Sequence, residues 1–94
     1  MAWMKKSKPA PIDLGTRNLD DVIEPNDYSQ RSNAQTTTGN YPSPGFSAGS
    51  MRVSRWSHLP TEPGRVVQEY TTISARKYIR VLGGSGAVPD WKEL

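Results

Sequence analysis

Cysteine is absent from this chain of 94 residues, and histidine occurs once, as His58. The first absence excludes a disulfide framework, a thiolate zinc site and a cysteine nucleophile. The second leaves no cluster from which a His-rich metal site could be built, so no metal and no cofactor is expected. Long apolar runs are missing too. None approaches the roughly 18–20 residues that span a bilayer, which argues against a membrane partner. The opening "MAWMKKSKPAP" has basic residues but no apolar region behind them, so it does not read as a secretory signal. Ala2 fails the N-myristoylation pattern, and "WKEL" is not a retention signal of the usual form. The expectation is a protein of the cytoplasm, or of a particle assembled there.

Apolar side chains are scarce. They make up 34% of the chain, mean hydropathy is −0.70, and glycine and proline contribute eight residues each. Ordering a backbone costs about 1–2 kcal/mol per residue, which so little apolar area struggles to offset. Charge is close to balanced, with 12 basic and 9 acidic residues giving +3. Such composition predicts a chain that is mostly irregular and extended, and that borrows its shape from a larger partner.

What is present divides into five sections. Residues 1–11 form a basic, proline-bearing tail with Lys5, Lys6 and Lys8. Residues 12–25, "IDLGTRNLDDVIEP", carry a helix signal over about 19–24. Asn18 suits an N-cap, Asp20 and Asp21 complement the positive end of a helix, and Pro25 stops it. Leu19, Val22 and Ile23 would share one face, which either packs at home or docks in a partner's groove. Residues 26–50 are rich in Ser, Thr, Asn, Gln, Gly and Pro and read as a linker arm, with Tyr41 and Phe46 as spaced anchors.

Residues 51–82 hold the expected folded module, a meander of strands at about 51–58, 65–73 and 77–82. "RVVQEYTTISARKYIRVL", 65–82, also reads as one helix, since Val67, Tyr70, Ser74, Tyr78, Val81 and Leu82 fall on one stripe. Seven of its eighteen residues are β-branched, which favours strands, although "SAR" at 74–76 lacks the Gly or Asn a tight turn wants. The alternate set Val67, Thr71, Ile73, Ala75, Ile79 and Val81 is mostly apolar, leaving Tyr70, Arg76, Tyr78 and Arg80 on the other side. Residues 83–94 begin as a glycine hinge and end in two anchors, Trp91 and Leu94.

No reaction motif emerges. Lone His58 has no positioned nucleophile or acid, "LGGSGAVP" lacks the lysine of a phosphate loop, and no small-molecule substrate is implied. Between Ser50 and Leu82, six basic residues face two acids. Arg52, Arg55, Arg76, Lys77 and Arg80 interleave there with Trp56, Tyr70 and Tyr78, the mix that single-strand nucleic-acid binding uses. Two functions follow. The first is a non-enzymatic accessory protein that bridges subunits, docking through Leu19, Val22, Ile23, Tyr41, Phe46, Trp91 and Leu94. Its layout is similar in general style to small accessory proteins of virus particles, phage connectors and ribosomes. The alternative is a basic single-strand nucleic-acid-binding protein.

Overall fold

Alternation decides the C-terminal half. In a computed structural model of the chain, which describes residues 10–42, 47–56, 65–83 and 88–94, the stretch 65–82 is two strands. They are β4 (Arg65–Thr72) and β5 (Lys77–Leu82), and the single-helix alternative does not form. Val66, Gln68, Tyr70 and Thr72 are buried in turn along β4, with the residues between them partly or fully exposed. The β-branched residues that resist a helix sit well on this pleat.

β3 (Gly49–Trp56) pairs antiparallel with β4, and β4 with β5, so a meander forms. It is only the middle of a larger sheet. β1 (Ile12–Asp13), β2 (Asn26–Gln30) and β6 (Lys92–Glu93) extend it to six strands in the order β1-β2-β3-β4-β5-β6. The β1–β2 pair is parallel and all others are antiparallel, so the sheet is mixed.

This overturns the expectation of a mostly irregular, extended chain: the fold is a compact globular six-stranded sheet. The described residues of the expected linker arm are structural. Asn26–Gln30 is an inner strand between β1 and β3, Ala34–Thr37 is a 3₁₀ turn, and Gly49–Ser50 already belong to β3. The expected helix at 19–24 is instead a 3₁₀ turn of three residues, Leu19–Asp21. Asn18 does cap it, its Oδ1 accepting from the Asp20 amide at 2.8 Å. Val22 then leaves helical geometry at ψ 84°, and Pro25 follows three residues later, so no second turn can add to the first. No α-helix occurs among the described residues. Residues 1–9 of the basic tail, Phe46, His58 and the glycines at 84 and 86 lie outside the described residues.

One face of the sheet is covered by the chain's own irregular segments. Leu14, Leu19, Val22 and Tyr41 come across it and pack on Tyr28, Met51, Val53, Val66, Tyr70 and Leu82. All four tyrosines of the sequence are buried. Tyr41 meets Tyr70 edge to face, with centroids 5.5 Å apart. Gly39 makes the crossing possible at φ +81°, because a Cβ there would stand 2.9 Å from the Arg17 carbonyl oxygen.

Candidate functional site

Arg80 lies at the centre of the most elaborate polar cluster. β5 turns it onto the covered face, where it is 5% exposed. Its Nε donates to Gln68 Oε1 at 2.7 Å, across the register pair Gln68–Arg80. Gln68, completely buried, uses Nε2 to donate to the carbonyl oxygens of Leu19 (2.6 Å) and Val22 (2.9 Å). One side chain thereby ties the 3₁₀ turn to the sheet. Arg80 Nη2 stands 3.0 Å from Asp20 Oδ1, an ion pair whose two atoms are close but not aligned as a hydrogen bond. Burial pulls the Arg80 guanidinium below its ordinary pKa, and Asp20 opposes that pull.

Trp91 closes the cluster from the C-terminal segment. The Arg80 guanidinium sits 4.4 Å from its ring centroid, and the indole also meets Tyr70 edge-on at 6.3 Å. Its Nε1 donates to the Asn40 carbonyl at 2.7 Å. Two residues on, Glu93 receives both Nε and Nη2 of Arg76, at 2.9 and 2.7 Å. That exposed bidentate pair raises the Arg76 pKa and lowers that of Glu93. Between Trp91, Tyr41 and Arg80 an open cleft of about 290 Å³ remains.

The opposite face of the sheet carries no covering layer among the described residues. One register row runs Asp27, Arg52, Glu69, Ile79, Lys92 from β2 to β6, and a second runs Ser29, Ser50, Thr71, Lys77. Arg52 Nε bonds Asp27 Oδ1 at 3.2 Å with both groups well exposed, a geometry worth about 0–1 kcal/mol. Val67, Ile79 and Val81 form a small half-buried apolar patch on this face.

The residues singled out for docking and binding are thus separated. Leu19, Val22 and Tyr41 are buried in the core, Trp91 packs on its edge, and Ile23 and Leu94 are exposed. Of the basic and aromatic set, Tyr70, Tyr78 and Arg80 face the core. Arg52, Arg55, Arg76 and Lys77 are exposed, and Trp56 lies on β3. The side of the strands expected to show Tyr70, Tyr78 and Arg80 to a nucleic acid is therefore the covered side. Sequence reasoning missed Gln68 and Gln30, and it read Asp20 as a helix-end charge without the Arg80 partner it meets here. A buried glutamine leaves no local signal when its partners lie 46 to 49 residues away.

Among the described residues, no group of three His, Cys, Asp or Glu side chains could hold a metal ion. No helix among them is long and apolar enough to cross a membrane. Comparison with family models, with curated proteins and with solved structures returned no significant match for this chain.

Proposed function

We propose that this chain is a non-enzymatic accessory subunit that holds protein partners together in a larger assembly, contacting them through the body of its sheet. The observation that carries the reading is the division of labour between the two faces. The side chains best equipped for chemistry or base stacking, Arg80, Tyr70 and Tyr78, are buried, and Arg80 is bound to internal partners. The open face offers charges of both signs around Val67, Ile79 and Val81. Mixed charge around a small apolar centre matches the polar rim and apolar core of a protein interface better than a phosphate track. Asn26–Gln30 and Gly49–Ser50 of the arm on which a bridging role first rested belong to the sheet, so contact falls to the folded surface. A particle assembled in the cytoplasm, such as a virion, is the setting such a subunit would serve.

A photo-crosslinking residue placed at Ile79 or Val67 tests this inside the producing cell. The expected result is a discrete protein adduct, with the chain migrating at the size of a larger complex and Ile79→Lys abolishing both. Adducts to nucleic acid alone would sink the proposal. So would oligonucleotide binding that collapses between low and physiological salt, because that steep dependence marks phosphate contacts.

A further inference from the structure

The hairpin joining β4 to β5 breaks the usual turn chemistry twice within five residues. Ala75 sits in the left-handed region at φ 68°, where an L side chain costs about 1–2 kcal/mol and glycine is preferred. Two residues earlier, Ile73 is 74% exposed, the most exposed large apolar side chain among the described residues. Turns of this kind ordinarily carry Asn, Asp, Ser or Gly. Strain and apolar exposure persisting together point from the backbone toward a surface that is used.

Beside Ile73 lies a hollow of about 560 Å³ at the end of the sheet, where Gln30–Arg31 of β2 and its exit, Ala48–Gly49 and Thr72 converge. It shares Ser50 and Thr71 with a second hollow of about 360 Å³ on the open face, which Lys77 also lines. A partner can therefore pass from one to the other along the β3–β4 seam. Charge selects the partner. Arg31 is the one charged residue among the described residues that line the end hollow; its side chain is 89% exposed and makes a loose, exposed ion pair with Asp13 at 3.8 Å, which a partner's carboxylate can join or replace. No acidic side chain among the described residues lines that hollow.

We propose that this hollow seats an aliphatic side chain from a short segment of a protein partner, packed against Ile73, with a carboxylate of the same segment paired to Arg31. The inference rests on the protein-binding reading above and names the chemistry of the partner's segment. Lys77, paired with Thr71 across β4–β5, lines the second hollow together with Arg52, Asp27 and Glu69, so charge there is balanced and the selection for a carboxylate falls to Arg31. Guanidinium and carboxylate pair bidentately, so Arg31 supplies orientation while the hollow supplies burial.

A random peptide library displayed on phage and panned against the full chain tests this. The enriched peptides should place Asp or Glu within about three residues of Leu, Ile or Val, roughly one extended peptide's reach across the hollow. Bound as synthetic peptides, they should weaken about tenfold for Ile73→Asp and lose most of their salt dependence for Arg31→Glu. Both sites are exposed, so unchanged urea midpoints confirm that the variants fold. Ile23→Asp, at an exposed site away from the hollow, should bind normally. Enriched peptides that are basic, or that bind Ile73→Asp and Arg31→Glu undiminished, would overturn this inference and leave the protein-binding reading standing. Enrichment of no peptide together with salt-sensitive oligonucleotide binding would overturn both.

Discussion

Replacing Gln68 by leucine keeps most of the volume and removes both side-chain hydrogen bonds from β4 to the Leu19–Val22 turn, leaving the Arg80–Asp20 ion pair as its polar tie to the sheet. Three groups lose Gln68 as a partner: the carbonyls of Leu19 and Val22, and Arg80 Nε. The Leu19 carbonyl still accepts from the Val22 amide at 3.2 Å, so two groups are left without a partner among the described residues. An orphaned buried group costs about 1–3 kcal/mol, so the pair costs about 2–6 kcal/mol. Apolar burial by the leucine returns on the order of 1 kcal/mol. A domain of this size has about 5–14 kcal/mol in total, so the variant folds at a much lower urea midpoint. At roughly 2 kcal/mol per molar urea, the net cost of about 1–5 kcal/mol gives an expected shift of about 0.5–2.5 M, read by tryptophan fluorescence, to which Trp91 over Arg80 contributes. In an Arg80→Met background the Nε orphan no longer exists, and the cost of Gln68→Leu should fall by about 1–3 kcal/mol. A shift below about 0.3 M, or an equal cost in both backgrounds, refutes the claim that Gln68 holds the covering layer in place.

Gly49→Ala should be more damaging than its single methyl suggests. The new Cβ lands on the Thr71 carbonyl oxygen and 2.9 Å from Thr72 Cα, so the β3–β4 ladder must move, at about 1–3 kcal/mol or more by thermal melt. Ala75→Gly acts in the opposite sense, relieving the left-handed strain and raising stability by about 1 kcal/mol in the same assay. Burial raises the pKa of Tyr28, Tyr41 and Tyr70 above 10.0. Their contribution is complete below pH 10.0 and is lost as pH climbs past it, because the unfolded chain ionises first. Urea midpoints should therefore fall from about pH 9 to about pH 11. At the acid end, Arg76 holds Glu93 below 4.5. The clip's contribution is present above that value and disappears as pH drops through the lowered pKa, releasing Lys92–Leu94 in amide exchange before the sheet unfolds.

Strand periodicity was legible in the sequence; the choice of face was not. In β4 and β5 the odd-numbered side is richer in aliphatic residues, so it reads as the core. The even side is buried instead, with Gln68 and Arg80 among its members. Two facts favour it physically. Tyr70 and Tyr78 bring large ring area to that side, and the polar groups beside them find internal partners. Those partners sit on the 3₁₀ turn dozens of residues upstream, and no periodicity in 65–82 reports them. The same blindness affects β2. "NDYSQ" has one apolar residue in five, yet Tyr28 and Gln30 alternate into the core, and Gln30 is satisfied by Gly15 O and Tyr41 Oη at 2.8 and 2.9 Å. A strand held by side-chain hydrogen bonds to distant loops looks like a linker when read alone.

The apolar deficit itself was real, and the fold shows how it is met. With few aliphatic residues available, phenol rings and bonded amides fill the covered face, while the irregular segments bring the backbone carbonyls to which the Gln68 and Gln30 amides donate. That solution closes one face, and among the described residues no covering segment is placed over the other. The hairpin between β4 and β5 follows the same logic. "SAR" is poor turn chemistry, and the chain still turns there because a full ladder on both sides, with the Thr72 amide bonded to the Arg76 carbonyl at 2.9 Å, outweighs one left-handed alanine. Glycine at position 75 would fold the turn more cheaply, so stability alone does not account for Ala75. The strained Ala75 lies two residues beyond the exposed Ile73, which borders the hollow beside Thr71–Thr72, and this is the place where we propose that a partner segment binds.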